Sequence, residues 1–296
     1  MRVLIAGANG LVGKALKRHC QSLGDEVLAY PRQMLDITDS SFVTNTIVQQ
    51  APDVVINAAA WTDVDGCESD PELADLVNAQ GPANLATACR EANAKFVTIS
   101  TDYVFAGDKS GFYTQDDEPH PLSIYGVSKL EGERRALKAN AQTIVARTGF
   151  VFGNGGRNFL STVIARAQRK EKLLAITDAK GTPTYADDLA ARLRELALLK
   201  TSGIFHVVNS GLGASYEDFV AFALEAAGLN GAKMEPVTEA SLNRPAPRPA
   251  NSCLLCLRSR SAGLADLPHW QEALRVFVAR ELEHSRLAGG VAPARP

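Results

Sequence analysis

Tyr125 and Lys129 are the two side chains of this sequence whose types and spacing best suit acid–base chemistry. Tyr125 is the only one of the six tyrosines with a lysine four residues later, and residues four apart on a helix are neighbours. Because an ammonium group beside a phenol favours the phenolate, we expect Lys129 to lower the Tyr125 pKa from its usual value of about 10. Such a tyrosine can protonate a carbonyl oxygen while hydride reaches the carbonyl carbon. We therefore predict both residues as catalytic; an exposed pair without function is the alternative.

Thr101 is the third candidate catalytic residue. It stands in the run Ser100-Thr101-Asp102, at the end of a predicted strand, where doubly wound folds bind their ligands. Its hydroxyl can hydrogen-bond both a substrate carbonyl and Tyr125. Threonines at strand ends also close turns without any further role, and the convergence with Tyr125 favours the functional interpretation.

Three glycines near the start of the chain have the spacing of a dinucleotide-binding turn. Gly7, Gly10 and Gly13 follow a short apolar strand and open a helix. The first glycine permits a tight turn, the second lets the backbone approach a pyrophosphate, and the third lets the helix lie against the sheet. A turn that only connects two elements is the alternative. The position directly after a buried N-terminal strand favours dinucleotide binding.

The end of the second predicted strand distinguishes between nicotinamide cofactors. An acidic residue there binds the ribose 2′-hydroxyl of NAD, and an arginine accommodates the 2′-phosphate of NADP. This strand ends in Ala-Tyr-Pro-Arg32 without an acid, so we expect NADPH, with NADH left open and an exposed surface arginine as the alternative. Asp36 and Ile37 follow, where they could hold the adenine; Asp36 could equally cap a helix.

These residues need a parallel sheet to bring them together, and the hydrophobic pattern predicts one. Short β-branched runs that are apolar throughout are typical of strands buried on both faces. They alternate with segments of helical spacing, which indicates a doubly wound parallel α/β sheet of the Rossmann type. The predicted strands are Arg2–Ala6, Glu26–Tyr30, Asp53–Ala59, Lys95–Ser100, Gln142–Arg147 and Ile204–Asn209, and the helices between them include Leu11–Ser22, Ser40–Gln50, Pro71–Asn93 and Ile124–Asn140.

The regular alternation of strand and helix patterns ends near residue 150, and this change predicts a second lobe. We expect residues 1–150 and 185–210 to form the dinucleotide-binding domain, and residues 151–184 and 211–285 to form a smaller, discontinuous α/β substrate lobe. A final helix over Trp270–Glu283 has an apolar stripe expected in the core. Residues 286–296 are rich in Gly, Ala and Pro and are expected to form a flexible tail.

Composition excludes several classes of protein. Lys and Arg number 31 against 33 Asp and Glu, for a net charge of -2, so no basic excess indicates a nucleic-acid partner. No apolar run approaches the roughly 20 residues that a membrane-spanning helix needs. The five cysteines form no even disulfide framework, and we therefore expect a reducing, cytoplasmic location.

The sequence contains no convincing metal site. The pair Cys253 and Cys256 has no second pair and no histidines at the spacing that zinc needs. An acidic cluster between residues 63 and 70 could hold magnesium, but a solvated loop is the favoured interpretation. We predict no metal ligands and leave magnesium dependence open.

Several motifs together resemble the extended short-chain dehydrogenase/reductases. They are Gly7–Gly13, Asn57–Thr62, Ser100–Asp102 and Tyr125 with Lys129. The resemblance is closer still to the members that reduce nucleotide-linked 4-keto-6-deoxy sugars, and it extends from residue 1 to about residue 283. The segments that carry this closer resemblance are 63–68, 78–79, 100–105, 183–184, 188–190 and 248–252.

The resemblance implies a reaction and a set of contacts. The reaction is reduction of the 4-keto group of dTDP-6-deoxy-L-lyxo-4-hexulose to dTDP-L-rhamnose, with Tyr125 as proton donor and Lys129 also holding the nicotinamide ribose. A homodimer is left open. The implied cofactor contacts, beside the glycines, are Leu11, Val12, Asp36, Ile37, Ala60, Trp61 and Thr62, and the implied substrate contacts are Thr101, Asp102, Phe150, Arg248 and Asn251.

Two departures from the family pattern concern the substrate. Where the family has Arg-Thr-Ser-Trp, this chain has Arg147-Thr148-Gly149-Phe150. A phenyl ring can stack on a sugar but cannot donate the hydrogen bond of an indole. Lys180 stands where the family often has an aromatic residue. An epimerase or a reductase of another nucleotide sugar is therefore an alternative. A non-catalytic NADP-binding subunit, similar to the beta subunit of methionine adenosyltransferase, is another.

Overall fold

The computed structural model describes residues 1–155 and 159–289. Its strands are β1 (Arg2–Ala6), β2 (Glu26–Tyr30), β3 (Val54–Asn57), β4 (Lys95–Thr101), β5 (Ile144–Thr148), β6 (Val151–Phe152), β7 (Leu173–Ile176), β8 (Lys180–Gly181), β9 (Thr184–Tyr185), β10 (Gly203–His206), β11 (Ala214–Ser215) and β12 (Met234–Val237). Its α-helices are α1 (Leu11–Ser22), α2 (Ser40–Gln50), α3 (Val64–Ser69), α4 (Pro71–Asp75), α5 (Gly81–Glu91), α6 (Ile124–Ala139), α7 (Phe159–Gln168), α8 (Ala186–Leu198), α9 (Tyr216–Ala226) and α10 (Trp270–Gly289).

The main sheet has six strands in the order β10-β5-β4-β3-β1-β2, and every neighbouring pair is parallel. Successive residues of β1 point to opposite faces. Val3 and Ile5 therefore pack with α1 and α8 on one side, while Leu4 packs with α2 and α5 on the other. The predicted doubly wound α/β fold is confirmed.

Several predicted elements differ in detail from the structure; the sixth strand, for example, ends at His206 rather than Asn209. The third strand ends at Asn57 rather than Ala59, because the Asn57 side chain accepts a hydrogen bond from the Ala59 N–H at 3.0 Å and takes the chain out of the ladder. The predicted helix 71–93 is interrupted by a π-helical turn over Leu76–Gln80. Pro82 follows this turn and lacks the N–H that a regular α-helix requires.

The segments after β5 build the second core. Three short sheets form there, β6 with β9, β7 with β12, and β8 with β11. Helices α7, α9 and α10 pack around Phe152, Phe219 and Phe277. The stripe predicted on the last helix is buried at Trp270 and Leu274. That helix continues to Gly289, and residues 290–296 of the predicted tail lie outside the described residues.

Among the residues that the structure describes, no helix has the length and apolar character needed to cross a membrane.

Candidate active site

The glycine turn after β1 brings the start of α1 against the sheet. Gly7 has φ +79°, and a Cβ there would lie 2.6 Å from the Ala59 nitrogen. A Cβ on Gly13 would lie 2.3 Å from the Gly7 carbonyl oxygen, so only glycine permits this approach. Gly10 precedes α1 and provides no side-chain cap. The first N–H groups of the helix are therefore available to an anionic ligand.

Two adjoining cavities, of about 390 and 450 Å³, follow the carboxyl ends of the strands. Both are lined by Gly10 and by residues 58–60, so they form one elongated channel. The predicted residues in the smaller cavity are Gly7, Gly10, Arg32, Asp36, Ile37, Ala60 and Trp61. The predicted residues in the larger cavity are Gly10, Leu11, Val12, Ala60, Thr62, Thr101, Asp102, Tyr125, Lys129 and Phe150.

The channel fits a dinucleotide with a polar substrate beside it. The glycine cradle and the uncapped start of α1 lie where the two cavities meet, as a central pyrophosphate requires. In the larger cavity, Asp102 Oδ2 and Thr148 Oγ1 are buried without a hydrogen-bond partner in the described part of the chain. Buried polar atoms rarely lack partners, and a polar ligand would supply them.

Arg32 and Asp36 lie at the outer end of the smaller cavity. The Arg32 side chain is 75% exposed, and its Nε lies 3.9 Å from Asp36 Oδ2, so its guanidinium has room for a second anion. Asp36 accepts hydrogen bonds from the Thr38 N–H and hydroxyl at 3.0 and 2.7 Å, which lower its pKa. The cap of α2 is Asp39 and not Asp36.

Asn78 fixes the segment that borders both cavities, a role that the sequence pattern did not reveal. Its side-chain oxygen accepts from the Trp61 N–H at 2.8 Å, and its amide donates to the Trp61 carbonyl at 3.0 Å and to the Ser128 hydroxyl at 3.2 Å. Asn78 lies in the π-helical turn, and such turns are frequent at functional sites. One buried amide thus connects the predicted cofactor loop to α6.

Helix α6 carries Tyr125 and Lys129 and packs tightly on both sides. A Cβ at Gly126 would lie 2.4 Å from the Tyr103 carbonyl oxygen, and one at Gly132 would lie 2.1 Å from that of Asn78. The helix begins at a Ser123 cap that accepts from the Gly126 N–H at 3.2 Å. These close contacts hold the two predicted catalytic side chains at the wall of the larger cavity.

The expected lowering of the Tyr125 pKa by Lys129 is wrong for this structure. Burial raises the pKa of Tyr125 well above its usual value. A hydrogen bond with the Thr101 hydroxyl lowers this pKa, and the charge of Asp102 raises it further. Desolvation dominates because a buried phenolate loses its hydration. Tyr125 is consequently a phenol at neutral pH, as a proton donor must be.

Lys129 is buried and has its own hydrogen bond. Its Nζ donates to the Ile99 carbonyl at 2.8 Å. Burial lowers the Lys129 pKa to about 8, while the charge of Glu133 one turn later on α6 raises it. The ammonium is therefore directed at the end of β4 and remains largely charged near neutral pH.

Thr101 and Asp102 form the floor of the larger cavity. The Thr101 hydroxyl donates to Asp102 Oδ1 at 3.1 Å and accepts from the Tyr103 N–H at 3.1 Å. Burial raises the Asp102 pKa to about 6, although the hydrogen bond from the Thr101 hydroxyl opposes this shift. The carboxyl group is therefore ionised at neutral pH although it is only 3% exposed.

The substrate side of the cavity contains two tyrosines that the sequence did not single out. Tyr216 at the start of α9 lies against Phe150, with ring centroids 4.3 Å apart. Tyr103 meets Tyr125 edge-on at 6.1 Å, and both Tyr103 and Tyr216 line the cavity. Phe150 adopts a left-handed φ of +44°, which is strained for an aromatic residue. Only the folded chain reveals these neighbours, because Tyr216 is remote in sequence.

Arg248 and Asn251 do not line the channel. Arg248 makes a bidentate ion pair with Asp65, with nitrogen–oxygen distances of 2.9 and 2.8 Å. The Asn251 amide donates to the Lys109 and Gly111 carbonyls. Both side chains are already engaged in holding loops together, so the structure does not bring them to the other predicted substrate residues.

The acidic cluster has structural partners as well. Asp63 and Asp70 cap α3 and α4, and Glu68 accepts from the Ile124 N–H at 2.8 Å. Asp65 binds Arg248. Among the side chains of residues 1–155 and 159–283, the structure contains no group of three or more that could hold a metal ion.

The comparison with known families agrees with this geometry. A family described as the RmlD substrate binding domain matches residues 1–283. The chain belongs to this family. The match includes the glycine turn, Thr101, Tyr125 and Lys129, and it extends into α10.

Similar proteins of the RmlD family support the same assignment. The dTDP-4-dehydrorhamnose reductase of Streptomyces griseus is 39% identical over 92% of this chain and 91% of its own. A probable dTDP-4,6-dihydroxy-2-methyloxan-3-one 4-ketoreductase of Streptomyces antibioticus is 37% identical over 93% and 94%. The solved dTDP-4-dehydrorhamnose reductase of Bacillus anthracis, in complex with NADP, superposes with a TM-score of 0.91 at 33% identity, covering 94% of this chain and 99% of that one.

Proposed function

We propose that this protein is an NADPH-dependent oxidoreductase that reduces the 4-keto group of dTDP-6-deoxy-L-lyxo-4-hexulose to dTDP-L-rhamnose. The observation that carries the proposal is the convergence of Thr101, Tyr125 and Lys129 on one cavity that continues into the glycine turn of α1. Membership of the RmlD family and the reductases that the chain resembles supply the substrate class. The product is a precursor for surface polysaccharide.

The residues of the larger cavity divide the chemistry between them. NADPH, when bound, supplies the hydride. Tyr125 donates its phenolic proton to the C4 oxygen, and its raised pKa means that the proton is present at neutral pH. Lys129, whose ammonium is directed at the Ile99 carbonyl, provides a donor for the nicotinamide ribose. Thr101 orients the acid and contacts the sugar oxygen.

Substrate recognition is assigned to the residues that the cavity contains. Thr101, Asp102 and Phe150 line it, and Phe150 with Tyr216 provides an aromatic wall for the sugar. Arg248 and Asn251, which bond to Asp65 and to the Lys109 carbonyl, are not assigned to this wall.

A second candidate function is reduction or epimerisation of another nucleotide sugar. Phe150 favours it, because it replaces an indole donor by a phenyl ring. The Streptomyces antibioticus relative, named as a ketoreductase for a different dTDP-linked ketone, also favours it. A panel of keto sugars with product analysis separates this candidate from the first.

Three further assignments belong to the proposal. NADPH is preferred over NADH because Arg32 is exposed at the cavity end. The carboxylates of residues 63–70 have protein partners and are not assigned to magnesium, whose requirement stays open. The five cysteines are free thiols, which suits a reducing cytoplasm.

A homodimer is also part of the proposal. Leu122 and Val127, beside and within the first turn of α6, are each 48% exposed. Apolar side chains at such a position gain from burial against a second copy. Light scattering after size exclusion determines the mass in solution and decides the question.

The test of the function is direct. The purified protein is incubated with dTDP-6-deoxy-L-lyxo-4-hexulose and either NADPH or NADH, and the loss of reduced cofactor is followed together with the product's NMR spectrum. We expect NADPH consumption with formation of dTDP-L-rhamnose. No consumption with any keto sugar, together with a stoichiometric protein partner in a pull-down, would instead indicate a regulatory subunit.

A further inference from the structure

The aromatic wall of the larger cavity has a single polar side-chain atom, the Tyr216 hydroxyl. Phe150 and Tyr216 form this wall, with ring centroids 4.3 Å apart and ring planes tilted by 35°, and both residues line the cavity. A phenyl ring offers apolar surface without a donor or an acceptor, whereas a phenol both donates and accepts. Any side-chain hydrogen bond from this wall to a bound sugar therefore comes from Tyr216.

A glycine fixes the position of Phe150 in the wall. A Cβ on Gly181 would lie 2.5 Å from Phe150 Cε1 and 2.7 Å from its Cδ1, so one edge of the ring rests on the Gly181 backbone. Phe150 also has a left-handed φ of +44°, and such strain persists only where the surrounding contacts hold it. Phe150 is therefore held in place by its contacts with Gly181 and Tyr216.

One small sheet places both of these contact residues. Strands β8 and β11 are antiparallel, with Gly181 opposite Ala214. Tyr216 follows directly after β11, and its N–H donates to the Ala179 carbonyl at 3.3 Å. A capping box closes the first turn of α9, in which Tyr216 lies. Backbone hydrogen bonds therefore fix Tyr216 relative to the glycine that supports Phe150.

The Tyr216 hydroxyl keeps its proton at neutral pH. Burial raises the pKa of Tyr216 to about 12, and the negative charge of Asp102 adds to this effect. The hydroxyl is therefore a donor throughout the pH range of an ordinary enzyme assay. Asp102 lines the larger cavity together with Thr101 and Tyr125, so its charge acts on Tyr216 from the part of the cavity to which the reaction is assigned.

We propose that Tyr216 is a specificity-determining residue, whose hydroxyl forms a hydrogen bond with a ring hydroxyl of the sugar while Phe150 supplies apolar contact alone. This inference rests on the proposed function, because it takes the occupant of the larger cavity to be the keto sugar. That sugar has ring hydroxyl groups at C2 and C3 only. The Tyr216 hydroxyl therefore contacts one of these two groups and selects substrates that carry it.

The first experiment uses Tyr216→Phe, which removes the hydroxyl and keeps the ring. We expect the KM for the keto sugar to rise about tenfold, the effect of one lost hydrogen bond. The kcat and the dissociation constant for NADPH should stay within about a factor of two, because the lost contact is made equally before and during the reaction. Steady-state kinetics and fluorescence titration measure these quantities. An unchanged KM for the sugar would overturn the proposal.

Tyr113→Phe is the matched control for the loss of a buried phenolic hydroxyl. Tyr113 is buried, and its hydroxyl bonds to the 107–109 loop rather than facing the cavity, so we expect its loss to leave the sugar KM unchanged. Urea denaturation separates binding from structure. If Tyr216→Phe lowers the unfolding midpoint and weakens NADPH binding as much as sugar binding, the role of the hydroxyl is structural and the proposal is overturned.

The second experiment identifies the contacted sugar group by a cycle of variant and substrate. Wild type and Tyr216→Phe are compared on the keto sugar and on its 2-deoxy and 3-deoxy analogues. We expect the wild type to lose about tenfold in kcat/KM with one analogue, and Tyr216→Phe to lose nothing further with that same analogue. If Tyr216→Phe lowers kcat/KM by the same factor for all three substrates, its hydroxyl contacts neither ring hydroxyl and the proposal is overturned.

Failure of this inference and failure of the proposed function give different results. If the wild-type protein consumes NADPH with no keto sugar, the proposed function fails. If the wild type is active and Tyr216→Phe retains the wild-type KM for the sugar, only the role of Tyr216 is lost.

Discussion

Arg147 on β5 forms a buried ion pair with Glu133, which lies on the same helix, α6, as Tyr125 and Lys129. Its Nε donates to Glu133 Oε1 at 2.9 Å and its Nη2 to Oε2 at 2.7 Å, with both side chains at most 3% exposed. The Ser100 hydroxyl donates to the same carboxylate. The network connects β4, β5 and α6, and so ties the helix that carries Tyr125 and Lys129 to the strand end that carries Thr101.

Removing one partner of this ion pair should lower the stability of the protein. Arg147→Met leaves a buried carboxylate without its main partner, and we expect the free energy of unfolding to fall by about 3–5 kcal/mol. Urea denaturation measures the change. Adding Glu133→Leu should recover part of the loss, because the unpaired charge is then absent. An Arg147→Met variant as stable as wild type would show that the pair does not hold the helix.

Removal of the Tyr125 hydroxyl should abolish the proton transfer but not cofactor binding. For Tyr125→Phe we expect kcat to decrease about 10²- to 10⁴-fold, with the dissociation constant for NADPH nearly unchanged. Steady-state kinetics and fluorescence titration give the two quantities. Tyr113→Phe is the matched control, since Tyr113 is buried but bonds to the 107–109 loop and not to the cavity. Wild-type turnover by Tyr125→Phe would contradict the assigned role.

Lys129 should make the ligand-free protein less stable at neutral pH. Its pKa is lowered from 10.5 to about 8 by burial, so the folded state binds fewer protons than the unfolded state between these values and stability rises with pH there. We expect Lys129→Met to gain stability relative to wild type below pH 8, by on the order of 3 kcal/mol for the pH-dependent part. That gain should vanish as the pH approaches 10.5.

Urea denaturation of both proteins at several pH values checks this expectation. Lys200→Met, at an exposed position, is the control. A stability difference that does not change between pH 7 and 10.5 would mean that the Lys129 ammonium is not desolvated.

Arg32 should determine the preference between the two nicotinamide cofactors. We expect Arg32→Ala to raise the KM for NADPH about tenfold, the effect of one lost charge-assisted hydrogen bond, and to leave the KM for NADH nearly unchanged. Arg260→Ala is a matched control, because Arg260 is also strongly exposed, at 81%, and lies away from the channel. Equal effects on both cofactors would place the 2′-phosphate elsewhere.

The architecture could be predicted because the sequence patterns that indicate strands, helices and the glycine turn involve residues close together in the chain. Continuous apolar runs predicted the strands that became β1 to β5 and β10, with most bounds within a residue or two. The glycine spacing at Gly7, Gly10 and Gly13 and the helical spacing of Tyr125 and Lys129 are likewise properties of neighbouring residues. The π-helical turn at Leu76–Gln80 was not predicted.

Other features depend on residues that are far apart in sequence. Arg248 has a side chain suited to binding an anionic ligand, but in the structure its guanidinium pairs with Asp65 on α3. Tyr216 enters the cavity from α9, and Asn78 reaches Trp61 and Ser128. Such partners become known only when the chain has folded, because each needs a particular packing of two elements.

The sequence by itself determined the doubly wound sheet and the glycine turn, and it singled out Tyr125, Lys129 and Thr101 as candidates, because periodicity and short spacings encode these features. Only the tertiary structure decided that Tyr125 has a raised pKa, that Asp102 sits against Gly149, and that Arg248 pairs with Asp65. Burial sets a pKa through desolvation, and desolvation is a property of everything packed around a group.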